Sequence, residues 1–128
     1  MRKSAVSAGW RAALAGLALA AWSPARAADE FVAGLEDLPL MPRLVELADQ
    51  RVKFDSAGGR VVEAIAAGAV ARAEILGFYA RALPELGWRA EGEGVWAREG
   101  ERLRIEFPLP PRGARAGETI VRFYLAPG

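Results

Sequence analysis

The stretch "FYARALPELGW", residues 78–88, decides the fold because a helix ends in it and a strand begins. Pro84 removes a backbone N–H and Gly87 readily adopts a positive φ, so both favour termination of the helix. Trp88 is then expected to open the next strand. Apolar residues at helical spacing predict one buried face for this helix. That face comprises Ile75, Phe78, Tyr79, Ala82, Leu83 and Leu86.

Alternating apolar residues on both sides of the helix predict β-strands. Residues 52–65 indicate a hairpin that turns at "DSAGG", residues 55–59. Three strand patterns follow the helix: residues 88–98, which split at Gly92–Gly94 into 88–90 and 95–98, residues 102–107, and residues 119–127. The sequence therefore predicts an α+β two-layer sandwich. One helix packs on one face of an antiparallel sheet of about five strands, in the chain order β-β-α-β-β-β.

The first 27 residues have the composition of a secretory signal peptide. Basic residues precede the uncharged run "AALAGLALAAW", and Ala25 and Ala27 occupy the small positions of a cleavage site. The run is shorter than the about 20 residues that span a bilayer. We therefore predict cleavage after Ala27 and no membrane span in the processed chain.

The processed chain is predicted to contain an apolar arm and one domain. The arm covers residues 28–50, with a short helix at residues 42–48 because proline suits a first helical turn. The single α+β domain covers residues 51–128. Two interpretations of the arm stay open: it packs across the domain core, or it docks on a partner or a membrane surface.

Charge argues against a nucleic-acid ligand. Four of the 17 basic residues lie in the predicted signal peptide, and all 16 acidic residues follow it. Cleavage therefore leaves 13 basic residues and a net charge of −3. A nucleic-acid binder needs a basic surface that neutralises phosphates. We therefore expect no nucleic-acid partner.

Residue types missing from the processed chain exclude several chemistries. Without His, Cys or Asn, it cannot form Ser–His–Asp or Cys–His catalytic groups or a Cys/His zinc site. Three alternatives survive: a Ser56–Lys53 dyad, an oxygen-ligand Ca²⁺ site, and paired carboxylates. We predict no catalytic residue, cofactor or metal. The candidate carboxylates are Glu91, Glu93, Glu99 and Glu101.

Aromatic and arginine side chains are predicted to share the sheet face away from the helix. Arginine interleaved with aromatic residues is typical of the centres of protein interfaces. Strand parity leaves the direction of Trp96 ambiguous: with Val95 and Ala97 inside, Trp96 lies with Tyr124 on this outer face. The candidate interface comprises Trp96, Tyr124, Ile120, Arg122 and Arg104 on the sheet, with Leu38 and Met41 on the arm.

The pattern FYxxxLPxLGW, formed here by Phe78, Tyr79, Leu83, Pro84, Leu86, Gly87 and Trp88, resembles a signature of small exported proteins of Gram-negative bacteria. The resemblance implies a periplasmic location and carries no activity. We therefore expect a non-enzymatic periplasmic binding or adaptor domain that contacts an envelope protein. The alternatives are a small-ligand or lipid-binding module with a groove between helix and sheet, and an enzyme that uses carboxylates alone.

Overall fold

The structure is a computed structural model that describes residues 30–110, 112 and 115–128. The predicted signal peptide, residues 1–27, lies outside the described residues, as do the first two residues of the predicted arm. The elements are β1 (Phe31–Val32), β2 (Leu35–Pro39), β3 (Val45–Glu46), a 3-10 helix (Ala48–Gln50), β4 (Val52–Ser56), β5 (Gly59–Gly68), α1 (Arg72–Glu85), β6 (Arg89–Gly92), β7 (Val95–Arg98), β8 (Glu101–Glu106) and β9 (Thr119–Pro127).

The described strands form a seven-stranded antiparallel sheet and a separate two-stranded hairpin of β1 and β2. The main sheet has the order β3-β5-β9-β8-β7-β6, and β4 also pairs with β5, beyond β3 along the same edge. The α+β class with one helix and an antiparallel sheet is thus confirmed. The predicted count of about five strands and the predicted strand order are wrong, because the arm adds β3 to the sheet and residues 88–98 form two strands, β6 and β7.

Helix α1 buries a narrower stripe than its sequence predicts. Ile75, Tyr79 and Leu83 are fully buried, whereas Phe78 lies at the rim of the core and Leu86 is exposed. The helix ends as predicted: Gly87 has a φ of 90°, and the Trp88 N–H donates to the Leu83 carbonyl at 3.1 Å. The reversal after α1 therefore rests on backbone hydrogen bonds that a positive φ makes possible.

The core lies between α1 and one face of the sheet, which we call the inner face. Strand alternation brings residues of β5, β8 and β9 to this face. The Tyr79 ring packs edge-to-face on Phe123, with 5.3 Å between the ring centroids. Fully or nearly fully buried inner-face residues are Val62, Ala64, Ala66, Leu103, Ile105, Val121, Phe123 and Leu125.

The N-terminal arm packs on its own domain, so the first of its two interpretations is confirmed for residues 30–50. Its apolar side chains join the same core cluster as α1 and the inner face. The Tyr79 hydroxyl donates to the Pro39 carbonyl at 2.7 Å and accepts from the Met41 N–H at 3.1 Å. The buried arm residues are Val32, Leu35, Leu38, Leu40, Met41 and Leu44.

The predicted helix over residues 42–48 does not form. Arg43 has a φ of 79°, which an α-helix cannot accommodate, and the chain continues into β3. The turn also runs close to β5, where a Cβ on Gly68 would lie 2.3 Å from the Arg43 carbonyl oxygen. Pairing of β3 with β5 therefore outweighs the local preference of Pro42 for a first helical turn.

Substituting Tyr79 with phenylalanine removes the hydroxyl and leaves the Pro39 carbonyl and the Met41 N–H without this partner. Because these groups are buried, we expect the free energy of unfolding to fall by ~1–3 kcal/mol. Urea denaturation of the purified protein measures this loss. Tyr124→Phe is the matched control, since it removes the same atom from a half-buried ring on the other face of the sheet. Equal stability of the two variants would contradict the role of the Tyr79 hydroxyl.

Ionisation of the Tyr79 hydroxyl is expected to lower the stability of the fold at alkaline pH. Burial raises the pKa of Tyr79, and the hydrogen bond from the Met41 N–H only partly opposes this. Since the folded pKa exceeds the unfolded value of about 10, the stabilisation is complete below pH 10 and declines above it. We expect the stability difference between wild type and Tyr79→Phe to shrink by up to ~1.4 kcal/mol per pH unit there. A difference that stays constant from pH 8 to 11 would contradict this.

Candidate functional site

The face of the main sheet opposite α1, which we call the outer face, is the candidate functional site. Cross-strand register brings Glu63 beside Tyr124 and Tyr124 beside Arg104. It likewise brings Ile65 beside Arg122 and Arg122 beside Glu106. Among the described residues, α1 packs on the opposite face, and Leu47 covers part of this one. Three strands therefore present charged and aromatic side chains side by side.

Ion pairs run across the centre of the outer face. The Arg122 guanidinium lies 2.5 Å from Glu106 Oε1 and 3.6 Å from Glu63 Oε2, so one arginine contacts two carboxylates. The hydrogen bond to Glu106 raises the pKa of Arg122 above its ordinary value, against a smaller opposing effect of burial. Because all three side chains are about one-third exposed, these pairs fix geometry more than they stabilise the fold.

Tyr124 and Arg104 form the aromatic part of this face. The Arg104 guanidinium lies 5.4 Å from the centre of the Tyr124 ring, within cation–π range. Arg104 also approaches Glu106, at 3.6 Å. A shallow depression of about 190 Å³ opens here, lined by Arg102, Arg104, Tyr124, Ala126 and Pro127. The ring therefore has one edge available to an incoming group.

Exposed apolar side chains border the same face at the β3–β4 edge. Val45, Val52 and Phe54 are 67%, 46% and 52% exposed. Their partners on β5 are Ala67, Glu63 and Val61, and paired residues project to the same face of a sheet. The alternating pattern of this strand predicts that Val52 and Phe54 are half-buried, and neither is among the predicted interface residues. Nothing packs over them among the described residues, which is why they remain exposed.

Of the predicted interface residues, the structure brings Tyr124, Arg104 and Arg122 together on the outer face. Ile120 lies on this face too, but it is buried in a small cluster with Ile65, Ala67 and Leu47. Leu47 follows β3 and donates its N–H to the Ile65 carbonyl at 2.7 Å, which carries its side chain over the cluster. Leu47 therefore covers Ile120 on the outer face, and Ile120 is not available for contact.

Trp96, Leu38 and Met41 are corrections to the predicted interface. Trp96 pairs with Leu103 and projects inward, with 7% of its surface exposed. Its neighbours Val95 and Ala97 lie on the outer face, the reverse of the predicted parity. Leu38 and Met41 are 2% and 7% exposed because the arm packs them into the domain core. None of the three side chains can contact a partner without unfolding part of the core.

Sequence reasoning missed a cluster around Arg98. Its guanidinium stacks over the Trp88 ring at 4.5 Å, donates to the Leu86 carbonyl at 2.9 Å, and pairs with Asp37 of the β1–β2 hairpin. The cluster joins the end of α1, strand β7 and the arm. No sequence signal links these residues, because they come from three separate elements and share no spacing. The role of Arg98 is structural: it ties the helix end to the arm.

A groove of about 360 Å³ lies between α1 and the β6–β7 hairpin. Its wall is mostly apolar and rich in glycine and alanine, and Trp96 and Ile105 form its floor. The only charged lining residue is Glu93. The lining comprises Leu76, Gly77, Ala80, Ala90, Gly92, Glu93, Gly94, Trp96 and Ile105. This groove matches the predicted alternative site between helix and sheet in position.

The candidate catalytic groups do not come together. Ser56 and Lys53 project to opposite faces of β4, and the Ser56 hydroxyl donates to the Gly59 carbonyl at 2.7 Å. Glu91 pairs with Arg102 at 3.0 Å, whereas Glu101 pairs with Arg60 at 2.9 Å on the other side of β8. These carboxylates therefore serve as partners of arginine in separate places.

Within residues 30–110, 112 and 115–128, no three potential metal ligands cluster, and no helix has both the length and the apolarity to cross a bilayer. Comparison of the chain with protein-family models, curated proteins and solved structures found no match in any of the three. The resemblance to small exported proteins therefore stays a prediction from the sequence.

Truncation of Trp96 should lower the stability of the fold much more than truncation of Tyr124. Trp96→Ala removes a buried ring from the core, so we expect ~3–5 kcal/mol of stability to be lost. Tyr124→Ala removes a half-buried ring that contacts Arg104, and the expected loss is about 1 kcal/mol or less. Thermal and urea unfolding of both variants measure the contrast. A larger loss for Tyr124→Ala would show that the assignment of inner and outer faces is wrong.

Proposed function

We propose that this chain is a non-enzymatic periplasmic binding domain that recognises a protein of the cell envelope through the outer face of its sheet. The observation that carries the proposal is the juxtaposition of Tyr124 and Arg104 with an exposed apolar border, on the face of the sheet opposite α1. Aromatic and arginine side chains dominate the energetic centres of protein interfaces. An uncovered apolar border is typical of interaction surfaces.

The charges of the outer face indicate the chemistry of the partner. Arg122 contacts two carboxylates, and Arg104 approaches one of them, so positive and negative groups largely neutralise each other. A strongly charged ligand would have to break these pairs before it could bind. The partner is therefore expected to present a near-neutral surface whose apolar side chains cover Phe54, Val52 and the Tyr124 ring.

The proposed location rests on the N-terminal sequence. A basic start, a short apolar run and the small residues before Ala28 are the parts of a signal peptide. The net charge of −3 in the processed chain favours a protein partner over a nucleic acid. Both arguments come from sequence and support an envelope protein as the partner.

The groove between α1 and the β6–β7 hairpin favours a second candidate function, the binding of a small apolar ligand or lipid. Its volume of about 360 Å³ lies at the lower end of the range for small-molecule sites, about 300–1,000 Å³. The apolar wall fits an alkyl chain, and Glu93 at the wall could contact a polar head group. The groove is open to solvent along its length, which is less favourable than an enclosed cavity for retaining such a ligand.

Site-specific photo-crosslinking in intact cells tests the proposed function. A photoreactive residue replaces Tyr124 in the full-length chain, and a matched one replaces Arg81 on the exposed face of α1. We expect a discrete adduct from position 124 and none from position 81. Arg104→Ser together with Phe54→Ser should reduce that adduct at least about tenfold, because each removes part of the binding surface. The melting temperature of each variant serves as the control for folding.

The mass of the crosslinked adduct, and any lipid that co-purifies with the protein, distinguish the proposed function from its alternatives. An adduct of two copies of this chain, or no adduct from position 124, would contradict a heterologous partner at the outer face. Stoichiometric lipid in the purified protein, detected by mass spectrometry, would favour the groove between helix and sheet instead. An adduct that persists unchanged in the double variant would show that the partner binds elsewhere.

A further inference from the structure

Strand β4 forms an open edge of the main sheet. It pairs with β5 on one side, and no described strand pairs with its other side. All five of its residues are exposed. Unpaired backbone groups along such an edge can pair with another chain, and sheet proteins usually block them with bulges, prolines or covering segments. β4 has a regular five-residue register and contains no proline.

The hairpin geometry identifies which backbone groups face outward. Ser56 pairs with Gly59 across a two-residue turn, so this closing pair must exchange both of its hydrogen bonds. Hydrogen-bonded and non-hydrogen-bonded pairs alternate along an antiparallel ladder. Val52 and Phe54 therefore bond to β5 as well. The N–H and carbonyl groups of Lys53 and Asp55 point away from β5, toward the open edge.

The sequence of β4 is complementary to itself. If a second β4 pairs antiparallel with the first about a two-fold axis at Phe54, Lys53 of each copy lies opposite Asp55 of the other. The outward backbone groups of these two residues then form hydrogen-bonded pairs, and opposite charges face each other twice. The two Phe54 rings meet at the axis in a non-hydrogen-bonded pair, where side chains approach most closely.

Other two-fold registers are less favourable. An axis at Lys53 or at Asp55 brings two like charges directly opposite each other, which destabilises an antiparallel pair. An axis at Val52 or at Ser56 leaves both charged residues without an opposite charge within the strand. The arrangement of charge, aromatic ring and outward backbone groups thus selects one register.

We propose that the partner of this edge is a second copy of this chain, joined through antiparallel β4–β4 pairing about Phe54 into one continuous sheet. The interface is isologous, as in most homodimers. Each copy contributes five strand residues, against about 20–30 residues a side in a stable interface. The dimer is therefore weak and depends on protein concentration, and salt weakens it further because its charge pairs are exposed.

Charge reversal tests the register. Full-length chain is expressed in cells that can process it, and the purified product is studied by sedimentation velocity over about a hundredfold range of concentration. Wild type is expected to show concentration-dependent dimerisation. Lys53→Asp and Asp55→Lys each place like charges opposite each other, so each should raise the dissociation constant at least about tenfold. Equimolar mixing of the two variants should restore dimers, because every pair across the axis is again opposite in charge.

The double variant K53D/D55K is the decisive control, since it exchanges the two charges and should dimerise like wild type. Arg81→Asp on α1 changes net charge by the same amount as Lys53→Asp and should leave association unchanged. If Asp55→Lys lowers stability through its neighbour Arg60, Lys53→Pro replaces it as a test. That variant removes an outward N–H and keeps the inward ladder, and Lys53→Gln controls for the lost charge.

Two results would overturn the proposal. The first is a wild-type chain that stays monomeric at the highest concentration. The second is a failure to recover dimers both in the mixture of Lys53→Asp with Asp55→Lys and in the double variant K53D/D55K. The outcome is separable from that of the outer-face proposal. Lys53 and Asp55 pair with Val62 and Arg60 and project to the inner side of the sheet, away from Tyr124. Loss of the dimer with retention of the envelope adduct, or the reverse, shows which proposal fails.

Discussion

The Tyr79 hydroxyl is the point at which the layers of this protein are joined. It bonds to the backbone at Pro39 and at Met41, just before the arm's turn at Pro42–Arg43, while its ring packs on Phe123 of β9. One side chain thus positions the arm, the helix and the sheet relative to each other. An apolar ring at this position would fill the same space but would not satisfy the arm's backbone, which has few other contacts with polar side chains in the interior. The chain has no cysteine, so this interaction and the packing around it hold the layers together without a disulfide.

Much of the inner face could be predicted because strict alternation determines it. Leu103 and Ile105 on β8, and Val121, Phe123 and Leu125 on β9, all project to the core as their pattern indicates. The stop at Gly87 was equally readable, since proline and glycine restrict the backbone whatever surrounds them. The grouping of Tyr124, Arg104 and Arg122 followed from the same alternation once the two strands were neighbours.

The remaining features depend on contacts between residues that are far apart in the sequence. Trp96 lies in a four-residue strand where either parity fits, and only its pairing with Leu103 decides its direction. The arm lacks a regular period because it is a bulged hairpin followed by a turn with a positive φ at Arg43. Arg98 acquires its role from Trp88, Leu86 and Asp37, which no spacing relates. Phe54 is exposed because no described segment packs over it on β4. The alternating pattern of a strand does not show which of its faces is covered.

The place of β9 in the sheet has a consequence for the order in which the chain can fold. It lies between β5 and β8, yet it is the last of the nine described strands to leave the ribosome. Until it arrives, the hairpin before the helix and the strands after it have no common neighbour, and the sheet remains two unconnected halves. Closure of the fold must therefore wait for translation to reach the final strand, because no earlier segment can take the central position.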